Sequence, residues 1–127
     1  MKKHLIAAAS ALLLFSAIAT FPSCGDDDEP TTCDTSDVSY ASDIAPIIAS
    51  SCAGVDCHTG SSPGSGKPFN DYAGVKAEVD AQRFYGSVAH LQGFSPMPRK
   101  SDGSATKLDD CKIAQIKAWV DAGAPNN

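Results

Sequence analysis

Two thiols and an imidazole stand together in Cys52-Ala53-Gly54-Val55-Asp56-Cys57-His58. A cysteine pair with a histidine directly after its second member suits covalent haem attachment. Each thiol adds across one vinyl group, and the adjacent imidazole is held beside the iron as an axial ligand. The usual spacing leaves two residues between the cysteines. Here four intervene, so the extra two must bulge as a loop, with Gly54 the available pivot. The same residues allow other chemistry. Cys52 and Cys57 could close a short disulfide with His58 a bystander, or all three could join Cys33 or Cys111 around zinc.

A six-coordinate haem needs a second axial ligand. Beyond Met1 the sequence holds one methionine, Met97, set between Pro96 and Pro98 about forty residues after the cysteine segment. Methionines in apolar stretches fill cores, but this one lies in a polar, proline-rich loop that suits presentation of a thioether. His90, at the end of a short apolar stretch, is the alternative ligand. Arg99 and Lys100 follow Met97 closely. They have three available roles: pairing with haem carboxylates, steering an acidic redox partner, or standing as solvated loop charges.

The elements that must position these residues are helical. Ile44, Ile47 and Ile48 share one helical face within Val38–Ser51, with Ser42 or Asp43 to cap it and Pro46 in its first turn. Gly60–Pro68 reads as loop. Asn70 or Asp71 can cap a second helix to about Ala81, with Tyr72, Val75 and Val79 on one side. Arg83–Leu91 suits a short third helix, and residues 92–106 are irregular. Asp109 caps the last helix, where Ile113, Ile116, Trp119 and Val120 make the apolar face and Gly123 stops it. No alternating strand pattern of useful length and no internal repeat is present. The expectation is an all-α domain of three to four short helices with long loops. Nine aromatic residues make a thin core, which in so small a domain calls for a disulfide, metal or cofactor.

The N-terminal region reads as an address. Lys2 and Lys3 precede an apolar run from Leu5 to Ile18, and Phe21-Pro22-Ser23-Cys24 closes an export signal over 1–24. The run is too short for a comfortable membrane span. Cys24 and the acidic stretch after it are similar to the start of a mature bacterial lipoprotein, which implies acylation of Cys24. An ordinary cleaved signal is the other reading. Residues 25–37 are a polar tether holding six of the chain's fifteen acidic residues, and from Val38 onward nine acids face eight bases. A near-neutral domain lacks the basic surface that nucleic acid requires. With Cys24 lipidated and Cys52 and Cys57 on haem, Cys33 and Cys111 remain, and an oxidising compartment favours a disulfide between them. No nucleophile–base pair, paired carboxylates or phosphate loop points to an enzyme.

Residues 39–127 resemble the small single-haem c-type cytochrome domains of bacterial envelope lipoproteins. The resemblance rests on Ser42-Asp43-Ile44-Ala45-Pro46-Ile47-Ile48, Cys57-His58, Tyr72, Met97-Pro98, and Leu108-Asp109-Asp110-Cys111-Lys112-Ile113 through Trp119-Val120-Asp121-Ala122-Gly123-Ala124-Pro125. It implies a class I cytochrome c-like fold with crossing first and last helices and an exposed haem edge. It further implies Cys52 and Cys57 as thioether sites, His58 and Met97 as iron ligands, one covalent haem c, redox proteins as partners, and a lipid anchor in the cell envelope. The competing expectation is a haem-free, disulfide-bonded lipoprotein acting as a binding module.

Overall fold

Ser39, rather than Ser42 or Asp43, opens the first helical segment. In the computed structural model, which describes residues 32–54, 57–60 and 65–127, the Ser39 hydroxyl accepts the Ser42 N–H at 3.0 Å. The Asp43 carboxylate in turn accepts the Ser39 N–H at 2.8 Å, a reciprocal cap that satisfies two donors at once. Pro46 accounts for the earlier start. It has no N–H to offer the Ser42 carbonyl, and its ring would press on that carbonyl in a regular α turn. The backbone widens ahead of it into a π-type turn over Tyr40–Ile44, where Ile44 N–H reaches Ser39 O at 3.2 Å and Ala45 N–H reaches Tyr40 O. Helix α1, Ala45–Ser51, continues directly from it.

Helix α2, Tyr72–Asp80, is capped by Asp71, whose side chain accepts the Gly74 N–H. Asn70, the other candidate cap, spends its amide instead on both backbone groups of Gly60, at 2.9 and 3.0 Å. Helix α3 covers only Phe84–Val88. It stops short of Leu91 because His90 takes a left-handed backbone conformation, φ 57°. Helix α4, Asp110–Asp121, is capped by Asp109 and followed by Gly123 at φ 89°, as its sequence predicts. Residues 92–106 are irregular apart from one antiparallel bridge between Arg99 and Ala105. The described residues are all-α, with no strand longer than that bridge.

The predicted apolar faces meet in one core. Ile44, Ile47 and Ile48 from the first segment pack with Val75, Phe84, Val88, Ile116 and Trp119. Trp119 is fully buried, and its indole N–H donates to Pro125 O at 2.9 Å, so no polar atom is stranded. The rings of Tyr72 and Phe84 meet it edge-on, each with its centroid 6.5 Å away, and Tyr40 lies at 5.7 Å. The Tyr72 hydroxyl donates to Ala124 O at 2.7 Å, tying α2 to the residues beyond α4.

Cys33 and Cys111 form the expected disulfide, with Cα atoms 5.3 Å apart and a sequence separation of 78. It fastens the exposed segment before Val38 to the first turn of α4. Residues 1–24, read from the sequence as an export signal ending at Cys24, and residues 25–31 of the expected tether lie outside the described residues, as do Val55, Asp56 and residues 61–64 of the expected loop Gly60–Pro68. No helix among the described residues is long and apolar enough to cross a membrane.

Candidate functional site

Cys52 follows α1 and falls four positions after Ile48, which continues the apolar face of that helix into the cavity wall. It is buried, and burial, helped by the neighbouring Cys57, pushes its thiol up to about 11. Cys57 is half-buried and closes a turn with its N–H on Gly54 O at 3.0 Å. The two sulfurs are not bonded to each other: both are free thiols.

His58 is buried and held on three sides. Its Nδ1 lies 2.8 Å from the carbonyl oxygen of Lys67 and 3.1 Å from Ser65 Oγ. A carbonyl can only accept, so Nδ1 carries the proton and Nε2 is the lone-pair nitrogen of the neutral ring. The imidazole stacks on Phe69, with centroids 4.2 Å apart and planes within 7°. The His58 carbonyl also accepts the Phe69 N–H at 2.6 Å. The segment 65–69 therefore fixes both the backbone and the ring of His58, and the capping turn of α2 fixes that segment. A Cβ on Gly74 would collide with the Pro68 carbonyl oxygen and lie 3.0 Å from its carbon. The absent side chain is what allows the two stretches to touch.

Facing this wall is a charged group contributed by α2 and the turn after it. The Glu78 carboxylate is 9 % exposed and receives Arg83 through two bonds, Nε at 2.8 Å and Nη2 at 2.7 Å, with Lys67 Nζ at 2.8 Å. The Arg83 hydrogen bonds first, and then those of Lys67, hold its pKa down to about 2 against the opposing effect of burial. The loop carrying Met97 comes from beyond α3. Met97 is half-buried, with its N–H on Ser87 O at 3.0 Å and its carbonyl oxygen 2.9 Å from His90 Nε2.

These pieces surround a single cavity of about 790 Å³, whose wall includes Cys52, Cys57, His58 and Met97. Phe69, Phe84, Val88 and Phe94 make its apolar sides, and Lys67, Glu78, Arg83 and Arg99 its charged ones. No family model, curated protein or solved structure matches the chain.

Of the residues singled out in the sequence, the cavity gathers Cys52, Cys57, His58, Met97 and Arg99, with Gly54 also at its wall. His90 and Lys100 are not in that wall. His90 spends its Nε2–H on the Met97 carbonyl instead. The Cys33–Cys111 bond removes both of those sulfurs from any zinc site with Cys52, Cys57 and His58.

Sequence reading missed Lys67, Phe69, Glu78, Arg83 and Phe84 as parts of the site. One signal was available: Glu78 lies three positions after Val75 and next to Val79, inside the apolar stripe of α2, where a carboxylate needs a partner. Lys67 offered none, because its contribution to His58 is a backbone carbonyl.

A haem fits this donor set. Two free thiols and an imidazole share a wall, Met97 joins it from a separate loop, and apolar sides adjoin a charged region where Lys67, Arg83 and Arg99 outnumber Glu78, which suits carboxylates. The volume falls within the range of small-molecule and cofactor sites, about 300–1,000 Å³.

Proposed function

We propose that residues 38–127 are a class I cytochrome c-like domain that carries one covalent haem c and transfers electrons outside the cytoplasm. The observation that carries this reading is the convergence of Cys52, Cys57, His58 and Met97 on one cavity of about 790 Å³ from two separate stretches of chain. Spacing alone left the wide Cys52–Cys57 interval open to a disulfide, and two unbonded thiols in a common wall favour the haem instead.

In this reading Cys52 and Cys57 would hold the haem through thioethers, and His58 and Met97 would ligate its iron. When bound, the haem would supply a one-electron couple, with a potential raised by methionine ligation. The protein's share of the work is to hold those donors still. The Nδ1–H donated to Lys67 O fixes the tautomer of His58 and sets its ring orientation. Phe69, Phe84 and Val88 line the cavity with apolar surface that would exclude water from the haem, while Lys67, Arg83 and Arg99 outnumber Glu78 in its wall. No group in the site is assigned to substrate chemistry, so the protein is proposed as a carrier rather than an enzyme. The N-terminal sequence supports export and a lipid anchor on Cys24, which would tether the domain in the cell envelope beside its redox partner proteins.

The test is a visible spectrum of the full chain made in a host with cytochrome c maturation, repeated after denaturation and acid–acetone extraction. Haem retained by the polypeptide supports the reading. A colourless, folded product overturns it and leaves the haem-free binding module.

A further inference from the structure

His90 lies in the turn that ends α3, two residues after Val88, in a left-handed backbone conformation (φ 57°) that residues other than glycine uncommonly adopt. That conformation goes with two contacts. The Leu91 N–H closes back on Gly86 O at 2.9 Å, and the imidazole Nε2 comes within 2.9 Å of the Met97 carbonyl oxygen. Because the carbonyl can only accept, Nε2 is the donor. The Met97 N–H is bound to Ser87 O at 3.0 Å. Both backbone groups of Met97 are therefore held by the end of α3, one by main chain and one by an imidazole. The neighbouring prolines, Pro96 and Pro98, have no N–H to offer this end of the loop.

We propose that His90 is a positioning residue for Met97: its donated hydrogen bond holds the loop so that the thioether stays in the cavity wall. This rests on the reading of Met97 as an iron ligand and adds a residue that does not touch the iron. His90 acts through the Met97 backbone, which explains why a histidine lies so close to the site without joining the cavity wall.

The experiment is imidazole competition on the haem-loaded full chain, followed in the visible spectrum, because added imidazole binds iron only where the methionine has left it. Three variants are compared with the unchanged protein. His90→Gly removes the donor and relieves the backbone strain, so the fold is not penalised. His90→Gln keeps an amide donor at a similar reach. Met97→Ala removes the competing ligand. Loss of one neutral hydrogen bond corresponds to about a fivefold change in an equilibrium. His90→Gly is expected to bind imidazole about fivefold more tightly, His90→Gln to stay near the unchanged protein, and Met97→Ala to bind most tightly.

Unchanged imidazole affinity in His90→Gly overturns the proposal. So does an equal effect of the Gln and Gly variants, which would mean that ring packing and not the donated bond matters. If Met97→Ala binds imidazole no better than the unchanged protein, Met97 is not a ligand, and the ligation reading fails together with this inference. Covalent haem present in all four proteins shows that such a failure does not extend to haem attachment.

Discussion

The Nδ1 of His58 lies 2.8 Å from the carbonyl oxygen of Lys67, nine residues later, and this one bond decides which imidazole nitrogen is free. A side chain at position 67 cannot supply or remove it, since the acceptor belongs to the main chain. Its placement depends on Pro68 and Phe69 lying against the first turn of α2. The capping of that helix and the tautomer of the histidine are thus parts of one packing arrangement.

Gly74→Ala tests that arrangement. In an exposed helix interior the change favours folding by up to about 1 kcal/mol. At Gly74 the new Cβ would meet the Pro68 carbonyl oxygen and come 3.5 Å from Phe69 Cα, so the expected outcome is a loss of about 1–3 kcal/mol. A urea melt reads it. A variant as stable as the parent would mean that the segment before α2 gives way freely.

Glu78 links stability to pH. Its folded pKa, about 2, lies below the ordinary 4.5. The unfolded chain therefore binds the proton more readily, and acid favours unfolding. The stabilising contribution is complete above the ordinary value and disappears as pH falls from 4.5 towards about 2. Lys67 and Arg83 are 42 % and 50 % exposed, so solvent screening reduces the contribution to about 1–2 kcal/mol. Glu78→Gln is expected to lose that amount at pH 7 and almost none near pH 2, measured by urea melts across the range. A pH-independent difference would show that packing of the side chain, and not its charge, is what counts.

The Cys33–Cys111 bridge closes a loop across 78 positions. Replacing both cysteines with serine frees the segment before Val38 and widens the unfolded ensemble, with an expected cost of about 2–4 kcal/mol. Comparing melts of the double variant with those of the reduced parent separates the loss of the bond from the effect of the serines. Equal stability of the oxidised parent and the double variant would show that the crosslink adds nothing.

The helices were legible because their signals are local. Asp109, the recurrence of Ile113, Ile116 and Trp119, and Gly123 after them mark α4 within a dozen or so residues. The disulfide followed from counting cysteines, and the irregular stretch over 92–106 from its prolines and glycines. One local signal was misread: Pro46 lies in the first turn of α1, as expected, but it widens the turn ahead of it and moves the cap back to Ser39.

By itself, then, the sequence determined the helix periods, the irregular stretch over 92–106, and the residue types available for metal or haem chemistry. Tertiary structure decided who their partners are. It set Glu78 between Arg83 and Lys67, turned His90 towards the Met97 carbonyl, and seated Lys67 O on His58. The reason is physical. Periodicity and capping depend on neighbours within a turn or two, whereas a hydrogen bond to a main-chain carbonyl leaves no trace in residue type. It exists only once the segments that bear it have packed together.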